Sequence, residues 1–260
     1  MPEPRSRVVT SFTLIKGSLI DETYRIFEAW DFGSSRFDNL QRMKERNLIA
    51  APSANWLRDV AKVINRRFDP NGRDRPIAEL AKAGCARSVW KPLLLWHMTR
   101  DEYLLRDFLV GWLYPRFREG RSGFRAADVL PYLHGLPKRG VAWAGAWSDA
   151  TTSRVASALL RLASDFELLT GGAVKRFAAY RLPDDSLLYL LHATAEAEPN
   201  ARRLIEAPDW RMYLMDAADV EREVLRLHQF RRLHYEAAGT LAQLKLPHGS
   251  LLDHARSMHP

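Results

Sequence analysis

The chain has 260 residues, 47% hydrophobic and 27% charged, a composition that supplies a sizeable core and excludes general disorder. Lys and Arg outnumber Asp and Glu 39 to 31, for a formal net charge of +8, and 31 of those cations are Arg, the side chain that meets phosphate as a two-pronged fork. That balance favours an anionic partner, although a genomic base bias accounts for an Arg excess equally well.

The opening residues MPEPRSRVVTSF lack the apolar run of a signal peptide. The segment Val8 to Leu14 that they lead into is short, apolar and β-prone. Lys16-Gly17 is expected to turn, and Ser18 with Asp21 resembles a capping box for a helix that buries Tyr24, Phe27 and Trp30. Ser53 reads as the N-cap of a helix through Trp56, Val60, Val63 and Ile64, which ends before a loop from Asp69 to Pro76. From Ile77 to Tyr114 the pattern is helical and rich in Leu and Trp, with Pro92 and Pro115 placed at helix starts or stops and the lone Cys85 as a small buried hydrophobe. The apolar run Phe108 to Tyr114 falls well short of the roughly 18 to 20 residues that span a bilayer. A soluble, cytoplasmic protein with no membrane partner is expected.

The stretch Arg116 to Arg139 carries six cations, Arg116, Arg118, Arg121, Arg125, Lys138 and Arg139, against Glu119 and Asp128. The Gly-rich run His134 to Asp149 is the best boundary between two halves. Beyond it comes an amphipathic helix from Thr151, whose apolar stripe is Val155, Leu159, Leu162, Phe166 and Leu169 and whose opposite stripe is Arg154, Ser157, Arg161 and Ser164. Gly171-Gly172 stops the helix and turns the chain into a basic strand lined by Lys175, Arg176 and Arg181. Further helices are expected over about Asp185 to Glu196 and Ala217 to Leu233, followed by a second hairpin pairing His234–Glu236 with Leu241–Leu246 around Ala238-Gly239.

The chemistry that would make an enzyme is missing from this pattern. Neither G-x-G-x-x-G nor a P-loop occurs, no G-x-S-x-G elbow occurs, and the eight histidines form no H-E-x-x-H. His192 and Glu196 share a helical face, but no second pair of this kind completes a carboxylate-bridged metal site. No cofactor, metal or catalytic residue is expected. What remains is a helix with Thr151, Thr152, Arg154, Ser157 and Arg161 near a strand with Lys175, Arg176 and Arg181, and basic residues Lys138 and Arg139 just before it. A helix with one face in a core and Arg and Ser on the other suits the major groove, and a hairpin beside it suits the phosphate backbone. An ordinary surface helix with a glycine stop is the competing account.

Three stretches carry a resemblance: SFTLIKGSLIDETYRIFEAWD (Ser11 to Asp31), KPLLLWHMTRDEYLLRDFLVGWLYPRFREG (Lys91 to Gly120), and the spacing of Trp, Ser, Thr, Leu and Gly from Trp147 to Gly171; the closing Ser250 to Ala255 also fits. The chain resembles the BrxA family, the NusB-like component of BREX bacteriophage-exclusion systems. Ile15-Lys16-Gly17 stands where that family's double glycine is expected, and Glu167 where a glycine is usual. The resemblance implies a mainly α nucleic-acid-binding protein without catalysis, working beside a defence ATPase, a DNA methyltransferase and a phosphatase-like protein. Together these considerations predict a mainly α fold, with a multi-helix N-terminal domain over residues 1–136 and a winged-helix-like and helical C-terminal domain over 137–260 that holds one or two short β-hairpins. The predicted partner is double-stranded DNA, with RNA binding in the manner of NusB and a protein scaffold with an acidic partner as the alternatives.

Overall fold

The structure, a computed structural model, describes residues 9–137, 147–239 and 241–258. The β-prone opening keeps a single β-bridge residue, Val9, and is helical from Ser11 on. Thr10 accepts a hydrogen bond from Phe12 N (3.3 Å) and caps helix α1, Ser11–Lys16. The carbonyls that α1 leaves unpaired at its C-terminal end are met by distant side chains: Arg67 donates to Thr13 O (2.8 Å) and Arg161 to Ile15 O (2.8 Å). Tertiary partners thus override a weak β preference. The expected capping box is also replaced. Helix α2, Ile20–Glu28, starts from Leu19 in the left-handed region (φ 53°) without a side-chain cap, because the Ser18 hydroxyl donates instead to Asp165 Oδ2 at 2.7 Å.

Helix α3, Arg36–Glu45, is capped by Ser35, and α4, Ala54–Arg67, by Ser53, whose hydroxyl accepts from Trp56 N as the sequence predicts. Helices α5, Arg75–Lys82, and α6, Arg87–Met98, follow. Pro92 lies inside α6 rather than at its end, and its carbonyl accepts the buried Tyr213 hydroxyl (3.0 Å). Helix α7, Tyr103–Phe108, runs through a π-helical turn at Leu109–Leu113 into α8, Tyr114–Arg118, so that Pro115 follows directly on the π turn instead of starting or stopping a helix. Then come α9, Ala126–Gly135, and the long α10, Asp149–Asp165.

Strands β1, Leu169–Thr170, and β2, Arg176–Phe177, form a small antiparallel hairpin, and Phe124 bridges to Lys175 on its other side. Helices α11, Asp184–Ala195, and α12, Ala201–Ile205, a 3-10 turn at Pro208–Tyr213, and α13, Ala217–Gln229, precede the second hairpin. That hairpin, β3 His234–Ala238 with β4 Leu241–Lys245, is the one the Ala238-Gly239 turn predicts, and α14, Leu251–Ser257, follows it. The architecture is the mainly α one expected, with both hairpins in the C-terminal half. Residues 138–146, the centre of the predicted boundary, lie outside the described residues. Buried residues from either side of that stretch, Leu133 and Leu136 with Val155 and Leu159, belong to one apolar cluster. Trp30, Trp90, Trp96, Trp112 and Trp210 are buried in it, so these rings are core rather than base-stacking platforms.

Two polar networks run through this core. Arg67, with no exposed surface, donates to Glu102 Oε1 (2.8 Å), Gly17 O (3.0 Å) and Thr13 O (2.8 Å), and so fastens the α1–α2 turn to α4 and the start of α7. His97 sits between Asp74 (2.6 Å) and the Tyr189 hydroxyl (2.8 Å), all three buried. Burial holds the His97 ring below the ordinary histidine range, so its neutral Nδ1–H donates to the carboxylate and its Nε2 accepts from tyrosine, joining α6 to α11.

A third cluster is less well satisfied. His192 on α11 and His254 on α14 stack with ring centroids 4.3 Å apart, and His248 lies 5.3 Å from His254. Among the described residues, His192 Nε2 and both ring nitrogens of His254 are buried without a hydrogen-bond partner. Burial, then the neighbouring imidazoles, push His192 from the ordinary 6.5 down to about 3; burial and His248 push His254 down to about 4. The unfolded chain therefore binds these protons before the native one does, and stability is full above the ordinary histidine value and falls as pH drops below it. Between about pH 6 and pH 4 each histidine contributes a loss of up to roughly 1.4 kcal/mol per pH unit. Urea denaturation across that range is expected to show His254→Phe with a shallower pH dependence than the wild type; equal slopes would mean the cluster does not titrate this way.

Candidate nucleic-acid interface

Helix α10 is set by its N-cap Ser148, which accepts from Thr151 N (3.3 Å), and by Asp149 in its first turn. Val155, Leu159, Leu162 and Phe166 are buried, as the periodicity requires, while Ser153, Arg154, Ser157 and Arg161 are exposed on the opposite side. Thr151 is half-buried beside the cap. Thr152 faces the interior, with its hydroxyl donating to Ser148 O (3.1 Å).

Among the described residues, the open part of this side is the N-terminal half of the helix, through Ser157. Further along, α1 and the turn after it lie across the helix: Arg161 donates to Ile15 O, its guanidinium sits 3.4 Å from where a Cβ on Gly17 would stand, and Asp165 accepts from Ser18. Arg161 is thus a tie between the N-terminal helix and α10, a use that the helical wheel alone could not reveal.

The hairpin that follows turns at Gly171, where φ is +99° and an added Cβ would meet Val174 O at 2.4 Å, so the turn requires glycine. Lys175 Nζ closes the turn onto Gly171 O (2.7 Å), and Arg176 is exposed. Phe177 anchors the hairpin, its ring 5.2 Å from both Phe117 and Phe124. Phe124 exchanges two backbone hydrogen bonds with Lys175 (2.7 and 2.8 Å), which sets the segment before α9 alongside β2. Arg181 lies beyond the strand, which ends at Phe177, and lines a cleft with Phe117, Tyr180 and Arg222. Lys138 and Arg139 lie outside the described residues.

The Phe124 pairing brings in cations that the helix pattern missed. Arg121 and Arg125 are exposed on the edge segment around Phe124. Among the described residues, Arg121, Arg125, Arg154 and Arg176 have no carboxylate partner. By contrast Arg66, Arg106, Arg118, Arg203, Arg222 and Arg232 each pair with an Asp or Glu. The surplus charge of the Arg116 to Arg139 stretch was the sequence signal for the two edge arginines. Cys85 is half-buried far from these residues in sequence, and burial pushes its thiol up to about 11, which makes it a poor nucleophile.

The element order is α7–α8, an edge segment, α9, α10 and then a hairpin, and the family model for BrxA matches the chain over residues 11–193, which includes all of it. The chain belongs to the BrxA family. A comparison with curated proteins gives no match. BrxA membership suggests a BREX-associated role. The part of this BrxA-family chain beyond residue 193 holds the second hairpin and α14. Among its described residues no helix is long and apolar enough to cross a membrane.

Proposed function

We propose that this protein is a non-catalytic DNA-binding component of a BREX-type anti-phage defence system, gripping duplex DNA mainly through phosphates. The contacts are the N-terminal half of α10 (Thr151, Arg154, Ser157), the β1–β2 wing (Lys175, Arg176) and the edge segment (Arg121, Arg125). The single observation that carries the proposal is the placement of charge. Exposed guanidinium groups without internal carboxylate partners occur on all three pieces; the Phe124–Lys175 bridge joins the edge segment to the wing, and α10 packs against α9 and β1. A guanidinium not already committed to an ion pair is free to neutralise phosphate.

The topology supports the same reading. A helix, an edge segment, two more helices and a hairpin bridged to that edge at Phe124–Lys175 follow one another in the order of a winged helix. There the third helix addresses the major groove and the hairpin lies over the backbone. On this proposal the protein works in the cytoplasm beside the ATPase, methyltransferase and phosphatase-like proteins of the system, needs no cofactor, and leaves catalysis to them.

The test is a mobility-shift comparison of duplex DNA, single-stranded DNA and structured RNA, with affinity followed against salt. Duplex binding is expected to be tightest, with log affinity falling by about 0.9 per log salt for each phosphate neutralised. A preference for RNA would point to a NusB-like protein instead. No binding to any of the three at low salt, with stable association to a defence-system protein, would replace the DNA reading by that of a scaffold.

A further inference from the structure

Helices α3 and α4 lie side by side on a part of the surface that the DNA proposal does not use. Between them is a groove of about 540 Å³, lined by Phe37, Leu40 and Lys44 from α3 and by Arg58, Ala61 and Lys62 from α4, with Arg36 and Asn65 at one side. Phe37 is 72% exposed, a ring left in water at the mouth of this groove. The floor, Leu40 and Ala61, is apolar and buried, and an exposed aromatic over an apolar floor is the feature by which interaction sites differ from ordinary surface.

The rim has one sign of charge. Every ionisable group lining the groove is a cation: Arg36, Lys44, Arg58 and Lys62. Two neighbouring carboxylates are turned to other work, and Glu45, next to Lys44, does not line the groove. Asp38 accepts from the Ser35 hydroxyl (2.6 Å) at the start of α3, and Asp59 pairs with Lys16 at 2.5 Å. Arg36 donates to the carbonyls of Asn65 and Phe68, and Arg58 to the Asn55 side chain; among the described residues neither makes a direct ion pair, although Asp69 and Asp74 act on Arg36, and Asp59 on Arg58, from further off. Lys44 and Lys62 sit one on each helix, flanking the apolar floor.

We propose that the α3–α4 groove docks an acidic amphipathic segment of a partner protein. An apolar side chain of that segment packs on Leu40 and Ala61 beside Phe37, and its Asp and Glu residues face Lys44, Arg58 and Lys62. The volume suits one or two large side chains, as in helix-in-groove recognition. Opposite charge at the rim steers the encounter and rejects basic or neutral segments. A purely phosphate-binding surface would need neither the apolar floor nor the exposed ring, which is why a protein partner is the occupant assigned.

A library of random 12-residue peptides displayed on phage, selected on the full-length chain and counter-selected on the triple variant Phe37→Ser, Lys44→Glu, Lys62→Glu, tests this. All three positions face solvent or the groove, and the variant's circular dichroism and its duplex-DNA affinity are expected to match the wild type. Peptides retained by the wild type and lost on the variant should carry an apolar residue flanked by Asp and Glu, and a synthetic copy should bind the wild type at least tenfold tighter than the variant. Recovery of the same peptides on both proteins, or of neutral or basic ones, would overturn the proposal. So would a single-stranded oligonucleotide whose affinity falls with the same three substitutions, since it would mark the groove as a nucleic-acid surface.

Discussion

Replacing Arg121, Arg125, Arg154 and Arg176 together by alanine is expected to weaken duplex-DNA binding by roughly 10²–10³-fold near 0.1 M salt. The salt dependence should flatten by up to about 3.6 in slope, about 0.9 for each phosphate contact removed. The four side chains are exposed, so the fold should be unaffected, which thermal denaturation will check. The matched control is Arg203→Ala with Arg222→Ala, which removes two equally exposed cations already paired with Glu198 and Asp219. Their charge is largely balanced within the chain, and binding should change little. Arg161→Ala separates two further possibilities: because Arg161 holds Ile15 O, its loss should lower stability more than affinity. If the fourfold variant keeps both wild-type affinity and wild-type salt slope, the helix-and-wing surface is not where DNA binds.

Arg67→Ala is expected to destabilise the protein by about 3–5 kcal/mol, the cost of leaving a buried carboxylate without its partner. Here Glu102 would lose its guanidinium, and the carbonyls of Thr13 and Gly17 would lose their donor. Gly17 already has a left-handed backbone (φ +93°) and Leu19 another, so the α1–α2 turn has little of its own to hold it in place. Urea denaturation measures the loss. Arg66→Ala, one residue away and paired with Asp101 at 3.3 Å nearer the surface, should cost no more than about 1 kcal/mol. Equal effects of the two substitutions would show that the Arg67 network contributes no more than a surface pair. If the α1–α2 turn loosens in Arg67→Ala, Arg161 and Asp165 on α10 lose their partners at Ile15 and Ser18, and the exposed length of the proposed contact helix changes with them.

Much of this molecule was legible in its sequence because the relevant signals are local. Ser53 as a cap, the apolar stripe of α10 from Val155 to Phe166 and the Ala238-Gly239 hairpin each depend on a few adjacent residues and a fixed period, and each is found where the pattern puts it. The helix stop is not: α10 ends at Asp165, Glu167 takes the left-handed turn (φ 65°), Leu169 lies in β1, and Gly171 turns the hairpin between β1 and β2 instead of ending the helix. The β-prone reading of Val8 to Leu14, overturned from Ser11 on, and the Ser18 capping box failed for a common reason. Both segments took partners from far along the chain, Arg67, Arg161 and Asp165, whose hydrogen bonds outweigh tenths of a kcal/mol of local propensity. Pro92 inside α6 is a case of the same kind.

For the candidate interface, the sequence by itself determined that the chain is basic, that its cations are arginines, and that a helix with Arg154 and Ser157 on its polar side runs into a Gly-turned basic strand. Only the tertiary structure decided which of those arginines are available. An ion pair between residues a hundred positions apart, such as Arg106 with Asp209 or Arg118 with Asp216, removes a charge from the surface in a way no local pattern records. The single bridge from Phe124 to Lys175 brings Arg121 and Arg125 to the wing, while α1 lies over Arg161 and the end of α10. Period and composition are properties of neighbouring residues; the pairing of charges is a property of the folded surface, and it is the surface that a phosphate backbone meets.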